Sequence, residues 1–297
     1  MSDQPAHRWR LDSETDRLTD VLLCRPEHYE WIPTNAIARA TLAAGAPLDR
    51  PALAAEWDEF EAALGEAEVT LHHLEPEPGL KYQVYTRDSS QTGPSGPMLT
   101  LLAMPQRRGE YAALLRFHEG RFAHLATAGT VEGGDVHLIR PGLAAIGFSG
   151  GRTERAGAEQ MAGWLRVEGW EVRLVPFDDH FLHLDVIFSM AAEGLALTCR
   201  EALPDDFLGW LEANRIRTLE VGYREAMADM ACNVLALGDG RVLSPRHSAR
   251  VNAALRAEGL TVLDPTLRLF ASGGGSAHCM TMPLRRVRAR GAGPAGG

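Results

Sequence analysis

No stretch of this chain approaches the roughly eighteen uninterrupted apolar residues of a membrane span, and its opening, MSDQPAHRWRLDSETD, has no apolar core of signal-peptide length. A cytoplasmic protein with no membrane partner is expected. Cysteine is sparse: Cys24, Cys199, Cys232 and Cys279 stand far apart, with no CxxC and no regular spacing. That excludes a disulfide framework and a zinc knuckle, and leaves four reduced thiols. Massed basic charge is also missing, since the 30 Lys and Arg are scattered among 39 Asp and Glu, for a net charge of −9. Nucleic acid is therefore not expected as a partner. The one basic run, RRVRARGAGPAGG from residue 285, is glycine-rich, and its last ~10 residues are expected to form a flexible tail.

What is present suffices for a full core, with 45% of the 297 residues apolar. The longest glycine and proline cluster, SSQTGPSGPM at 89–98, resembles a hairpin turn rather than a linker, so a single domain over 1–297 is expected. Helical amphipathic spacing appears at 50–66, 108–118, 153–168, 204–214 and 246–258. Each stretch follows a short apolar run (DVLLCRP, MLTLLAMP, LAAIGFS, GLALTC, RVLSP) and precedes a strand-like one (EVTLHHLE, RFAHLAT, WEVRLVPF, RIRTLEV, LTVLDPT). Five strand, helix, strand units result, at intervals of roughly 45 to 80 residues. Pattern alone leaves two α/β folds open: an open doubly wound sheet, which it slightly favours, and a closed ring built from repeats.

Polar residues concentrate in four short segments. VYTRDSS (84–90) carries Arg87 and Asp88, AGTVEGGDVHLI (128–139) carries Glu132 and Asp135, and GGGSAHCMTMP (273–283) carries Cys279. In HFLHLDVIF (180–188), His183 and Asp185 are two apart, which on a strand puts them on one face. Singly, each has an ordinary structural reading: a rim histidine, a turn aspartate, a hairpin glycine pair, a packed thiol. A metal site from His180, His183, His278 and Cys279 is not expected, because strand residues three apart point to opposite faces. The glycine run lacks the GK(S/T) ending of a phosphate loop, and "LLCRPEHYEW" after the first strand has no dinucleotide fingerprint. No cofactor is implied.

Taken together, TRD, EGGD, HLD and a C-terminal GGG-x-x-HCMT-x-P, in that order over about residues 84–284, resemble the guanidine-modifying superfamily. That superfamily contains arginine deiminase, dimethylarginine dimethylaminohydrolase, agmatine deiminase and the amidinotransferases. The resemblance implies a five-bladed α/β propeller (pentein) of ββαβ-like units around a central active-site channel, and it moves the ring above the open sheet. It also implies a small guanidino substrate, and relatives are often homodimers.

A guanidinium stays protonated near neutrality and must be gripped by carboxylates before its carbon can be attacked. By resemblance, Asp88 and Asp185 would grip it, Cys279 would be the nucleophile, and His183 would be the general acid and base. Glu132 would hold His183 or a guanidinium nitrogen, with Asp135 behind. Arg152 in GFSGGRT, and Arg107 (or Arg108) in MPQRRGE, would bind the carboxylate of an arginine-like substrate. His278 has no assigned role. The expected function is a cofactor-free C–N hydrolase giving citrulline and ammonia or an alkylamine. Chain length resembles the dimethylarginine hydrolases, whereas HLDVIFSM reads like a deiminase. Amidino transfer to an amine is the alternative, and a non-catalytic guanidinium binder is one of another class. Segment 29–35 and loop 89–98 are candidates for a mobile lid.

Overall fold

The computed structural model describes residues 7–45 and 47–288, so the expected tail falls almost entirely outside the described residues. The strand, helix, strand units appear where the sequence places them. The first contains strand β1 (Arg17–Cys24), helices α1 (Ala36–Ala43) and α2 (Arg50–Glu66) and strand β2 (Thr70–Leu74). The second runs β3 (Ser90–Thr92), β4 (Pro97–Leu99), α3 (Tyr111–Phe117), β5 (His124–Leu125). The third runs β6 (Val136–Arg140), β7 (Leu143–Phe148), α4 (Arg155–Val167), β8 (Glu171–Pro176). The fourth runs β9 (Phe188–Ala192), β10 (Leu195–Thr198), α5 (Asp205–Ala213), β11 (Arg217–Glu220). A connecting helix α6 (Tyr223–Asp229) leads to β12 (Leu235–Gly238), β13 (Arg241–Leu243), α7 (Ala249–Ala257) and β14 (Thr261–Leu263). Helix α8 (Arg268–Ala271) and strand β15 (Met282–Val287) follow.

These strands form five three-stranded sheets of one design, β15-β1-β2, β3-β4-β5, β6-β7-β8, β9-β10-β11 and β12-β13-β14. In each, the central strand pairs antiparallel with an inner strand and parallel with an outer one, and helix crosses between centre and outer edge. The first sheet takes its inner strand from the far end of the chain, pairing Leu22 with Met282 and Val21 with Pro283. Contacts run between successive sheets: β15 meets β3, Leu101 bridges to Val131, β9 meets β12, and β12 meets β1. Among the described residues, no helix is long and apolar enough to cross a membrane.

Local chemistry explains the elements. Strand β1 is covered on both faces, so its apolar residues run on without strict alternation. Val21 and Leu23 pack with Trp57, Phe60 and Leu64, whereas Leu22 and Cys24 pack with Trp9, Leu114 and Met282. Helix α2 starts at Asp49, whose carboxylate accepts from the Ala52 N–H at 3.0 Å, with Pro51 in its first turn. Its buried stripe of Leu53, Trp57, Phe60 and Leu64 has helical spacing. The expected helix over 108–118 is shorter, because a 3-10 turn at Pro105–Glu110 precedes α3. The cluster at 89–98 is the β3–β4 hairpin and is largely buried, so it is not a mobile loop.

Leu22 is fully buried between β2 and β15, so Leu22→Ala should cost ~2–5 kcal/mol of unfolding free energy. Val167→Ala, at a residue 90% exposed, should stay within about 0.5 kcal/mol, both read by urea denaturation.

Candidate active site

Each functional segment found in the sequence lies in the turn that leads into the inner strand of one sheet. Asp88 precedes β3, Glu132 and Asp135 precede β6, His183 and Asp185 precede β9, and Cys279 precedes β15. The expectation that His183 and Asp185 share a strand face is corrected: 3-10 turns at Asp179–Phe181 and Leu184–Val186 flank an extended His183. Cys279 is likewise in a turn, so it and His278 need not point apart. Both reach the same carboxylate oxygen, Asp185 Oδ2, with His278 Nδ1 at 2.8 Å and Cys279 Sγ at 3.2 Å.

The glycines make room for neighbours. A Cβ on Gly134 would meet the His183 ring at 2.9 Å, and Gly274, at φ +98, lies against the Asn35 side chain. Gly273 and Gly275 abut the rings of Tyr29 and Tyr85. The GGG run therefore seats these tyrosines beside the turn that carries Cys279.

Around Cys279 the side chains form a connected, buried network. His183 Nε2 is 2.8 Å from Glu132 Oε2, and its Nδ1 lies 3.7 Å from Asp88 Oδ1. Burial pushes the His183 pKa down, but Asp88 and Glu132 outweigh it and raise it to about 9. Glu132 is pushed up by burial and pulled down more by His183 and Arg152, to about 2, so this pair is imidazolium and carboxylate. Asp185 is likewise drawn down to about 2 against its burial, with the His278 hydrogen bond the leading cause. His278 itself, lowered to about 4 by burial and by Arg87, is a neutral imidazole donating from Nδ1. Burial, Asp185 and Asp88 raise the Cys279 thiol well above its ordinary value. Asp135 accepts from the Leu184 N–H at 2.7 Å and from Thr153 Oγ1 at 2.5 Å, which fixes the turn carrying His183.

Both arginines expected to bind a substrate carboxylate line the site, and one of them is already engaged by carboxylates. Arg107 is 3% exposed and its donors are taken, with Nε and Nη2 on Glu110 at 2.8 and 3.0 Å and Nη1 on Asp88 Oδ2 at 2.6 Å. Nη2 also donates to the Tyr82 and Tyr85 carbonyls. It is a buried counterion that holds Asp88 from behind, not a free anion receptor. The alternative, Arg108, is exposed and donates from Nε to the Leu102 carbonyl. Arg152 does line the site, contacting Glu132 Oε2 at 3.4 Å and the Thr34 carbonyl at 3.1 Å.

The space enclosed by Asn35, Tyr82, Tyr85, Asp88, Arg152, Leu182, His183 and Cys279 is only about 10 Å³. Part of its cover is the segment leading into α1, where Asn35 donates to the Gly273 carbonyl at 3.0 Å and the Tyr82 hydroxyl to the Ile32 carbonyl at 3.1 Å. A ligand larger than a water enters only when this cover moves.

Among the described residues, two groups of buried side chains have ligand-forming atoms close together, Asp88 with Glu132 and His183, and Glu14 with His137 and His278. In both, arginine already supplies the countercharge: Arg107 on Asp88, Arg152 on Glu132 and Arg87 beside Glu14. A divalent cation would meet these guanidinium groups. His180, once weighed as a ligand, is exposed and pairs with the Tyr223 hydroxyl at 2.8 Å. The sequence reading missed Glu110, Asn233 and the link from His278 to Asp185. Glu110 was within reach of it, standing three residues after Arg107.

Known proteins resemble this chain in sequence and fold. The family model described as eukaryotic N,N dimethylarginine dimethylhydrolase matches residues 33–286. An uncharacterised Bacillus subtilis protein, YkgA, is 32% identical over 212 residues, covering 70% of this chain and 71% of its own. A Rhodococcus erythropolis arginine deiminase is 30% identical over 261 residues, covering 73% of this chain, which spans only 63% of that protein. Among solved structures, unliganded AgrE superposes with TM-score 0.78 at 24% identity, over 92% of this chain and 41% of that one. A cysteine-to-serine mutant of the Pseudomonas aeruginosa dimethylarginine dimethylaminohydrolase, complexed with citrulline, gives 0.75 at 19% identity, over 90% and 99%. The chain belongs to the dimethylarginine dimethylaminohydrolase family, within the guanidine-modifying superfamily that includes the arginine deiminases.

Proposed function

We propose that this chain hydrolyses a C–N bond in the guanidinium of arginine or an N-substituted arginine, without a cofactor, through a covalent adduct on Cys279. The observation that carries the reading is a set of three buried atoms without a hydrogen-bond partner: Asp88 Oδ1, Asp185 Oδ1 and His183 Nδ1. Orphaned carboxylate oxygens are costly inside a protein unless a ligand completes them. Each aspartate is held on Oδ2, by Arg107 or by His278, and its Oδ1 accepts no hydrogen bond. A planar cation with several N–H donors fits two such oxygens. The five sheets are read as blades of an α/β propeller, and the chain as one catalytic domain with this site in its central channel.

The chemistry follows. A cation between Asp88 and Asp185 offsets the charge that holds the Cys279 proton on, so that proton is given up to water and the thiolate forms as substrate binds. Sulfur attacks the guanidinium carbon, and the C–N bond to the leaving amine breaks as His183, the imidazolium, protonates that nitrogen. His183, now neutral, takes a proton from water. The resulting hydroxide adds to the thiouronium carbon, the C–S bond breaks, and the ureido product leaves a regenerated thiol. Water rather than an amine is taken as acceptor because the named relatives are hydrolases. With Arg107 committed to Asp88 and Glu110, Arg152 is the proposed handle for a substrate carboxylate.

Incubation with arginine, methylated arginines, agmatine and guanidino acids, with and without an acceptor amine, should yield a ureido product and free amine from at least one. No product from any of them, and no Cys279 adduct by mass spectrometry, would sink the hydrolase reading. Cys279→Ser should abolish turnover. Because the acid step needs imidazolium, kcat/KM should fall as pH rises past about 9. Glu132→Gln removes one carboxylate that keeps His183 charged, so that alkaline limb should move to lower pH and kcat drop ~10²–10⁴-fold. Arg107→Met should cost ~3–5 kcal/mol of stability in urea, since it strands two buried carboxylates. A carboxylate-binding role would instead raise KM at unchanged stability.

A further inference from the structure

Four of the five turns that enter inner strands contribute a residue to the proposed chemistry, and the fifth, before β12, carries Asn233. Its side chain is fully buried and makes four hydrogen bonds at the nucleophile turn. Oδ1 accepts from the backbone N–H of Ser276 at 3.0 Å and of Cys279 at 3.1 Å. Nδ2 donates to the Asp185 carbonyl at 3.3 Å and to Cys279 Sγ at 3.1 Å. Its own carbonyl faces the His278 N–H at 3.4 Å. One amide thus fixes the backbone of the turn and presents an N–H to the sulfur.

We infer that Asn233 is the fifth member of the site, holding Cys279 in place with its carbonyl and stabilising the thiolate with its N–H. This rests on the reading of Cys279 as nucleophile, but the sulfur contact can be tested without turnover. The groups facing the thiol are Asp185, Asp88, Tyr85 and Arg87. Arg87 is turned to the His278 carbonyl at 3.2 Å, and the two aspartates oppose ionisation, so Asn233 is the near neutral donor on the side of the negative form. A neutral acid at this position can accept and donate as the amide does. A carboxylate can only accept.

The test uses Asn233→Asp and Asn233→Ala in the full chain, with thermal melts, iodoacetamide alkylation localised to Cys279 by peptide mass spectrometry between pH 6 and about 10, and kcat/KM. Asn233→Asp keeps both acceptor contacts to the turn, so it should stay folded. A charge-assisted hydrogen bond of ordinary strength predicts a ~10–100-fold slower alkylation at the alkaline end. Burial beside Asp185 raises the introduced acid into this pH range, as burial raises Asp135, so the ratio of Asn233→Asp to wild type should fall as pH rises and the acid loses its O–H. Asn233→Ala should show a slower rate with no such pH-dependent ratio. If both variants alkylate like wild type, or if the rate drops only in step with the melting temperature and equally at every pH, the thiolate role is wrong. An inactive wild type whose alkylation still depends on Asn233 in this way would remove the hydrolase reading and leave this one standing.

Discussion

The site depends on two buried carboxylates, each satisfied on one oxygen and left open on the other. Asp88 is held by Arg107 and Asp185 by His278. An unpaired buried charge is too costly to persist, and a fully paired one would have nothing left to bind with. Half-pairing resolves this. Much of the surrounding structure maintains it: Glu110 pairs with Arg107, burial together with Arg87 keeps the imidazole of His278 neutral, and His137, paired with Glu14, stacks on that imidazole.

The same arrangement holds the proton on the Cys279 thiol in the absence of a ligand. Its neighbours raise its pKa, in contrast to reactive cysteines set beside fixed cations. Activation is then coupled to the charge of the ligand, and a neutral compound of similar shape would leave the proton where it is. Closure of the site around about 10 Å³ adds a second filter, since the cover pinned by Asn35 and Tyr82 must open for anything larger than water.

Much of the fold was legible because apolar periodicity reports strands and helices directly, as at α2, where the sequence stretch and the helix coincide. The inner strands β3 and β12 were not, because they are short and their residues, such as Ser90–Thr92, carry no apolar alternation. Cys279, His183, Glu132, Asp88 and Asp185 were found through motifs and the structure brings them together. At Arg107, sequence shows that a guanidinium is near the site, but not which carboxylates already engage its donors. The strand assumption for HFLHLDVIF failed similarly, since 3-10 turns allow His183 and Asp185 to reach different partners of one centre. Asn233 had no signal at all, as a lone asparagine before a short strand reads as turn chemistry.

Pairing of β15 with β1 has a consequence for how such a molecule is made. The turn that holds Cys279 lies just ahead of β15, and β15 finds its place only against a strand near the other end of the chain. Closing so long a loop is among the slower events available to a polypeptide, and it follows synthesis of the other units. Until then Cys279 lacks Asp88, Asp185 and Asn233 as neighbours and is an ordinary cysteine. A nascent or partly folded chain therefore lacks the neighbours that the proposed chemistry requires.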